Sequence, residues 1–350
     1  MEFFTAQPLL PTPEDVKLAI SLSQRGKDFI LKSRKEAASI VERSNPRVAI
    51  ILGPCSIHDP EMALEYARRI KEEALTHSSF LVMRLFFEKP RTTTGWKGLL
   101  YDPYLNGTND IATGLYWTRK LLKEMAELGV PVATEFVDPL VAPYIEDLIT
   151  WGFIGARTSS SQPHRQLASS FGFPVGFKNA LDGDLLSPIQ GIIAARSAHA
   201  FMAINDEAKL CAKKSFGNAY SHMVLRGATN GPNYDKKTVA GVTQMMHLHG
   251  VNSPILIDCA HGNSQKKYEK QKDVFVSVFE QIEEGNKNII GVMLESNLEE
   301  GNQALSEDPA SLRYGVSITD SCIGWSDTQE LLCSVDSSSI SSSVMRFTHN

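Results

Sequence analysis

Cysteine is scarce in this 350-residue chain, basic residues do not outnumber acidic ones, and no apolar run is long enough to cross a bilayer. Each shortage excludes something. Five cysteines (Cys55, Cys211, Cys259, Cys322, Cys333) are odd in number and widely spaced, which argues against a disulfide framework and predicts a reducing, cytoplasmic setting. A cysteine with a task here is a metal ligand or a nucleophile. The formal net charge of −5 gives no global basic field, so neither nucleic acid nor an anionic membrane is an expected partner. The opening residues, MEFFTAQPLLPTPED, lack a basic segment followed by an apolar one and do not read as a secretory signal. What is present is a chain 42% hydrophobic, able to bury one large barrel core or the cores of two ordinary domains.

Along the chain, a Pro-punctuated arm leads into a charged segment from Pro13 to Arg43 with helical apolar spacing. Eight short β-rich runs follow: Val48–Leu52, Phe80–Phe87, Val130–Phe136, Phe153–Ala156, Pro174–Lys178, His222–Arg226, Pro254–Asp258 and Ile289–Glu295. Most are continuously apolar, the mark of strands buried on both faces. Helical windows lie between them, one opened by Asp59-Pro60-Glu61, where Asp caps and Pro fills the first turn. Asp327 with Glu330 reads as a capping box for the last helix. The alternation predicts an α/β fold, a (β/α)8 TIM barrel with an N-terminal helical extension, ahead of a doubly wound open sheet. The expected division is an arm and extension over 1–45, a catalytic barrel over 46–335 and a Ser-rich, disordered tail over 336–350. Glu88 to Asp110 is too long for a simple βα turn, and Phe201 to Lys213, centred on Asn205-Asp206, predicts a β-hairpin insertion.

If the barrel closes, the residues at the strand ends share one mouth. Cys55, His261, Glu295 and Asp320 then offer a thiolate, an imidazole and two carboxylates, a set suited to a first-row divalent metal. Arg84, Lys89, Arg91, Arg157, Lys178 and Arg226 offer six cations, more than one carboxylate needs, which points to substrates bearing several anionic groups. Each residue taken singly has a plainer explanation. Cys55 alone is a small buried hydrophobe, His261 a hydrogen-bonded structural histidine, Glu295 and Asp320 surface carboxylates, and a strand-end Arg or Lys a solvated charge. No ligand spacing links the four candidates, so only their common placement raises the metal reading. Lys178, ending an apolar run, also fits a Schiff-base amine.

The strings GPCSIHD (Gly53–Asp59), MRLFFEKPRTTTGWKGL (Met83–Leu99), GARTSSSQ (Gly155–Gln162), PVGFKN (Pro174–Asn179), VLRG (Val224–Gly227), IDCAHGNSQK (Ile257–Lys266), GVMLESNLEEGNQ (Gly291–Gln303) and YGVSITDSCIGW (Tyr314–Trp325) resemble those of the type I 3-deoxy-D-arabino-heptulosonate-7-phosphate (DAHP) synthases. The similarity runs in order from about Leu9 to about Leu332. The resemblance implies condensation of phosphoenolpyruvate with erythrose 4-phosphate and water, releasing phosphate, as the first step of the shikimate pathway. It places the metal ligands on Cys55, His261, Glu295 and Asp320. It places phosphoenolpyruvate on Arg84, Lys89, Glu135, Ala156, Arg157, Lys178, Arg226 and His261. The sugar phosphate falls on Lys89, Pro90, Arg91 and Thr92, and Lys89, Glu135, His261 and Asp320 take the catalytic roles, with Glu135 or a Lys89-bound water handling the water.

By the same resemblance the cofactor is a divalent transition metal, Mn, Fe, Co or Zn, with Mn favoured, and the assembly a homodimer or homotetramer. An aromatic amino acid is a candidate effector. Phe201 matches a residue lining that regulatory site, Gly172 stands where several regulated members place Ser, and the arm before Leu9 looks short. The alternatives are condensation with arabinose 5-phosphate, against which the Lys89–Thr92 string KPRT counts, a non-catalytic anion-binding barrel, and a Schiff-base aldolase.

Overall fold

The computed structural model describes residues 9–306 and 308–336. The Ser-rich tail, from residue 337 on, and the arm before Leu9 lie outside the described residues.

The segment that reads as one helical extension is two helices, α1 (Pro13–Ala19) and α2 (Gln24–Val41). Thr12 and Asp15 form a reciprocal capping box at the start of α1, with Pro13 in the first turn. The break comes from Ser23, whose hydroxyl accepts from Gly26 N–H at 3.0 Å and restarts the helix. Glu127 holds Ser23 there, accepting from its backbone N–H at 3.0 Å and its hydroxyl at 2.7 Å. Apolar spacing shows the helical face but not this interruption.

Eight parallel strands then close into a barrel: β1 (Ala49–Gly53), β2 (Phe80–Arg84), β3 (Val132–Glu135), β4 (Trp151–Ile154), β5 (Val175–Lys178), β8 (Ser221–Leu225), β9 (Ile255–Asp258) and β10 (Ile289–Glu295), with β10 pairing back onto β1. The helices between them are α3 (Pro60–Glu73), α4 (Ile111–Leu128), α5 (Ala142–Ile145), α6 (Gln162–Ser169), α7 (Leu186–Arg196), α8 (Lys236–Leu248) and α9 (Gln271–Glu283), and α10 (Trp325–Asp336) follows β10. An antiparallel hairpin, β6 (His199–Ile204) and β7 (Leu210–Ser215), stands apart from the barrel between α7 and β8, as the insertion expected there.

Several strand bounds differ by one to three residues from the sequence reading. The fourth strand begins two residues earlier, at Trp151, because Thr150 N–H bonds to Val132 and Gly152 N–H to Pro174, and the chain turns away at Gly155. Asp327 and Glu330 do not form a capping box. Asp327 lies inside the first turn of α10, and both carboxylates face Lys272 instead.

Strand side chains alternate between two cores. Ile50, Leu52, Leu81, Met83 and Val132 pack outward under the helices. Ala49, Ile51, Val82, Ala133, Trp151, Phe153, Val224, Leu256 and Met293 fill a second cluster, the barrel interior, which Ala37, Ile40 and Val41 of α2 join. Trp151 is wholly buried there and donates its indole N–H to His222 Nε2 at 3.3 Å. The amphipathic end of α2 thus supplies side chains to the core on which the site is built.

Candidate active site

The alternation that fills the barrel also builds its mouth. Two residues beyond Val82 stands Arg84, beyond Ala133 Glu135, beyond Val224 Arg226, beyond Leu256 Asp258 and beyond Met293 Glu295. With Lys178 at the end of β5, the inward rows end in ionisable groups that are at most 6% exposed. Such a density of buried charge is stable only when paired, and it is the usual signature of a functional site.

On one side the structure brings together Cys55 Sγ and carboxylate oxygens of Glu295 and Asp320, all within 4.8 Å of one another. His261 Nε2 lies 3.6 Å from Glu295 Oε1, facing the same group. Lys89 Nζ bridges two of these donors, 2.8 Å from Cys55 Sγ and 2.9 Å from Asp320 Oδ2. A cation therefore already sits where soft sulfur and hard oxygen converge, and the donor set fits a first-row divalent metal. Burial, followed by the nearby Glu295, pushes the Cys55 thiol up to about 12. A thiol in that state gives up its proton only to a cation that binds the sulfur directly. Burial also works against the Asp320 carboxylate, but Lys89 outweighs it and holds the group well below the usual range.

Buried neighbours fix these donors. Arg84 donates to the carbonyls of Pro54 and Cys55, the latter at 2.6 Å, and to Glu295 Oε1 at 2.9 Å. Its guanidinium is thus largely occupied with the Pro54-Cys55 loop, and Nε alone is buried without a partner. Gln271, at the start of α9, clasps the backbone of Glu295, accepting from its N–H at 2.8 Å and donating to its carbonyl at 3.0 Å. Asp320 arrives on the long segment after β10, pinned by Ser56 to Thr319 at 2.7 Å and by Asn302 to the Thr319 carbonyl at 3.0 Å.

The opposite wall is cationic. A cavity of about 850 Å³ is lined by Arg84, Lys89, Pro90, Arg91, Thr92, Glu135, Ala156, Arg157, Lys178, Arg226, His261 and Asp320 among others. Lys178 is buried between Glu135 and Asp258, with Nζ 3.4 Å from a carboxylate oxygen of each. Glu135 packs directly on Gly155, where any Cβ would collide with its Oε1. Lys89 and Pro90 are half-buried, whereas Arg91, Thr92 and Arg157 are exposed at the rim.

Sequence reasoning placed Asp258 and Asn179 at strand ends facing the mouth without giving them a role, and singled out none of Gln271, Lys266, Asn233 or Asn263. Asn179 Oδ1 accepts from Arg226 N–H at 2.8 Å and from Asn233 Nδ2 at 3.1 Å, while Asn263 Nδ2 donates to Leu225 and Asp258 carbonyls. Gln271 reads as an ordinary surface residue at a helix start, and Lys266 as a solvated charge. A signal for Asp258 existed in its three-residue spacing from His261. His261, Gln265 and Lys266 all adopt left-handed backbone conformations, with φ of 55°, 54° and 61°. Non-glycine residues hold that conformation only where the surroundings over-determine it, and they cluster at functional sites.

A closed (β/α)8 barrel whose mouth sets a wall of cations against a thiol–imidazole–carboxylate corner has the plan of an enzyme for polyanionic substrates. Comparison with known proteins narrows the class. The profile described as "DAHP synthetase I family" matches residues 24–333. A Tyr-sensitive phospho-2-dehydro-3-deoxyheptonate aldolase of Escherichia coli K12 is 46% identical over 330 residues, covering 94% of this chain and 92% of that protein. The Phe-sensitive enzyme of the same organism is 44% identical, with 89% of each chain covered. A solved phospho-2-dehydro-3-deoxyheptonate aldolase from Francisella tularensis superposes with a TM-score of 0.91 at 40% identity, covering 94% of this chain and 96% of that one. The chain belongs to the DAHP synthetase I family. Its reaction is the condensation of phosphoenolpyruvate with erythrose 4-phosphate, and the family works with a metal.

Proposed function

We propose that phosphoenolpyruvate binds on Arg157, Lys178 and Arg226, with Arg84, Lys89, Glu135, Ala156 and His261 around it. The sugar phosphate meets the Lys89-Pro90-Arg91-Thr92 loop beside Asp320. The observation that carries this reading is that these cations line one cavity with His261 and Asp320, which stand beside Cys55 and Glu295. A divalent transition metal held by those four residues, manganese ahead of iron, cobalt and zinc, supplies Lewis acidity toward an aldehyde oxygen.

The chain's own part is placement and proton handling. Buried Lys178 and Arg226 hold the phosphate and carboxylate of phosphoenolpyruvate at fixed positions, so its alkene meets the aldehyde in an effectively intramolecular step. Glu135, whose Oε2 lies 3.4 Å from Lys178 Nζ, takes a proton from the water that attacks C2. A water on Lys89 is the other candidate for that attack. Phosphate then leaves by C–O cleavage, and solvent oxygen-18 belongs in the sugar product.

The names of relatives called Tyr-, Trp- and Phe-sensitive support an aromatic amino acid as effector here. Phe201 is half-buried on the hairpin, and Gly172 is exposed with open space around it. Phe216, 99% exposed, and Met202, 79% exposed, support a homodimer or homotetramer built through this region. The small number and wide spacing of the five cysteines support a cytoplasmic setting.

The test is phosphate release from phosphoenolpyruvate with erythrose 4-phosphate, before and after EDTA, with Mn²⁺ restored, then with each aromatic amino acid added. Activity is expected to vanish with chelator and return with metal, and one amino acid to inhibit. Release unaffected by chelation would overturn the metal reading.

A further inference from the structure

Asp258 is wholly buried at the end of β9. Its Oδ1 accepts the N–H of Ala260 at 3.0 Å and shapes the turn leading to His261. Its Oδ2 lies 3.0 Å from His261 Nδ1 and 3.4 Å from Lys178 Nζ. The distance to the imidazole is that of a hydrogen bond but the angle is not, and neither Oδ2 nor Nδ1 has another hydrogen-bond partner among the described residues. Two complementary polar atoms left facing each other in the interior need only a small ring rotation to satisfy one another. That satisfaction is favoured, because a buried donor or acceptor left unmet carries its full desolvation penalty.

The backbone at this point is already fixed. His261 has a φ of 55°, its carbonyl accepts from Lys266 N–H at 2.7 Å, and Gly262 N–H donates to Arg226 at 3.0 Å. The freedom left to His261 is the orientation and tautomer of its ring. Nε2 faces Glu295 Oε1 at 3.6 Å while Nδ1 faces Asp258, so the two nitrogens address different partners.

We propose that Asp258 is a positioning residue for His261: by accepting from Nδ1–H it presents Nε2 as a lone-pair donor to the Cys55, Glu295 and Asp320 group. This rests on the reading of His261 as a metal ligand. A ligating imidazole generally donates its second N–H to an outer carboxylate, and loss of such a partner weakens metal binding about 10–100-fold. Because Oδ2 also faces Lys178, an anion that engages Lys178 leaves the carboxylate more fully to His261. Phosphoenolpyruvate and metal therefore tighten each other's binding, each by the same factor.

The test uses the full chain without turnover, titrating Mn²⁺ against a chelating indicator with and without phosphoenolpyruvate. Asp258→Asn keeps an oxygen for Ala260 N–H but cannot hold Nδ1–H and Lys178 as a carboxylate does. It is expected to bind Mn²⁺ about 10–100-fold more weakly and to lose most of the tightening by phosphoenolpyruvate. In a His261→Ala background the same change is expected to have little further effect, since both substitutions act through one ring. Equal affinity in wild type and Asp258→Asn, or an undiminished loss in the His261→Ala background, overturns the inference. Independently of any variant's folding, ¹⁵N spectra of the Zn²⁺-loaded wild type are expected to show a proton on His261 Nδ1 and a metal-shifted Nε2. The opposite tautomer overturns it. Failure of the wild type to bind any metal overturns the metal assignment itself.

Discussion

Arg157 Nη2 lies 2.7 Å from Thr92 Oγ1, with Nε 3.2 Å from the same oxygen, so the loop after β4 is fastened to the loop after β2 across the barrel mouth. Both side chains are exposed, and the guanidinium keeps further N–H groups for an anion. Loss of this bond alone corresponds to about 1 kcal/mol. Thr92→Val is expected to raise KM for phosphoenolpyruvate roughly fivefold with kcat little changed. Steady-state kinetics with an unchanged KM would show that Thr92 does not hold Arg157 in the working enzyme.

Gly155 and Glu135 make a second relationship of this kind. An added methyl at 155 would overlap Glu135 Oε1, so Gly155→Ala must push the carboxylate off Lys178. The variant is expected to keep its fold and lose on the order of 100-fold in kcat, the size typical of a displaced proton-handling group. Circular dichroism with stopped phosphate release checks both halves. Full activity would mean that Glu135 has no part in the chemistry.

Arg84→Leu separates support from binding. The guanidinium neutralises buried Glu295 and holds the Cys55 loop, and removing one partner of a buried pair costs about 3–5 kcal/mol. Denaturant unfolding is expected to show a loss of that order. A variant as stable as wild type with only a raised phosphoenolpyruvate requirement would return Arg84 to a purely substrate-binding role.

Glu88 gives the pH dependence. Burial, and secondarily the nearby Asp138, push its carboxyl up from 4.5 to about 8, against the backbone N–H groups of Val137 and Asp138 that it accepts at 3.3 and 3.2 Å. Between those two values the folded chain keeps a proton that the unfolded chain has released. This contribution to stability is full below about 4.5 and is lost as pH rises through about 8. Glu88→Gln is expected to lack this component, so its unfolding midpoint should gain on wild type between pH 5.5 and pH 8.5. Parallel pH curves for the two proteins would contradict it.

Metal should also appear as stability. A ligand present at about 100 times its dissociation constant adds about 2.7 kcal/mol. Mn²⁺ is expected to raise the unfolding temperature of wild type and not that of Cys55→Ala. An equal rise in both would place the ion elsewhere.

Much of this was legible in the chain. Short, continuously apolar runs punctuated by helical windows determine a parallel barrel, because strands covered on both faces must be apolar throughout and the polar exceptions fall at their ends. Cys55, Lys178, Arg226 and Glu295 could be picked out for that reason, and the long motifs carried the family. The break at Ser23, the early start of β4 at Trp151 and the use of Asp327 on Lys272 were not legible, since each depends on a partner distant in sequence. Gln271 and Asp258 belong with these. Nothing local distinguishes a glutamine that will clasp Glu295 from a solvated one, and the spacing of Asp258 from His261 does not show that it will also face Lys178. The sequence by itself determined which chemistry each strand end carries. Only barrel closure decided which of those groups meet, because hydrogen bonds and ion pairs act over a few ångströms between residues separated by up to hundreds of positions.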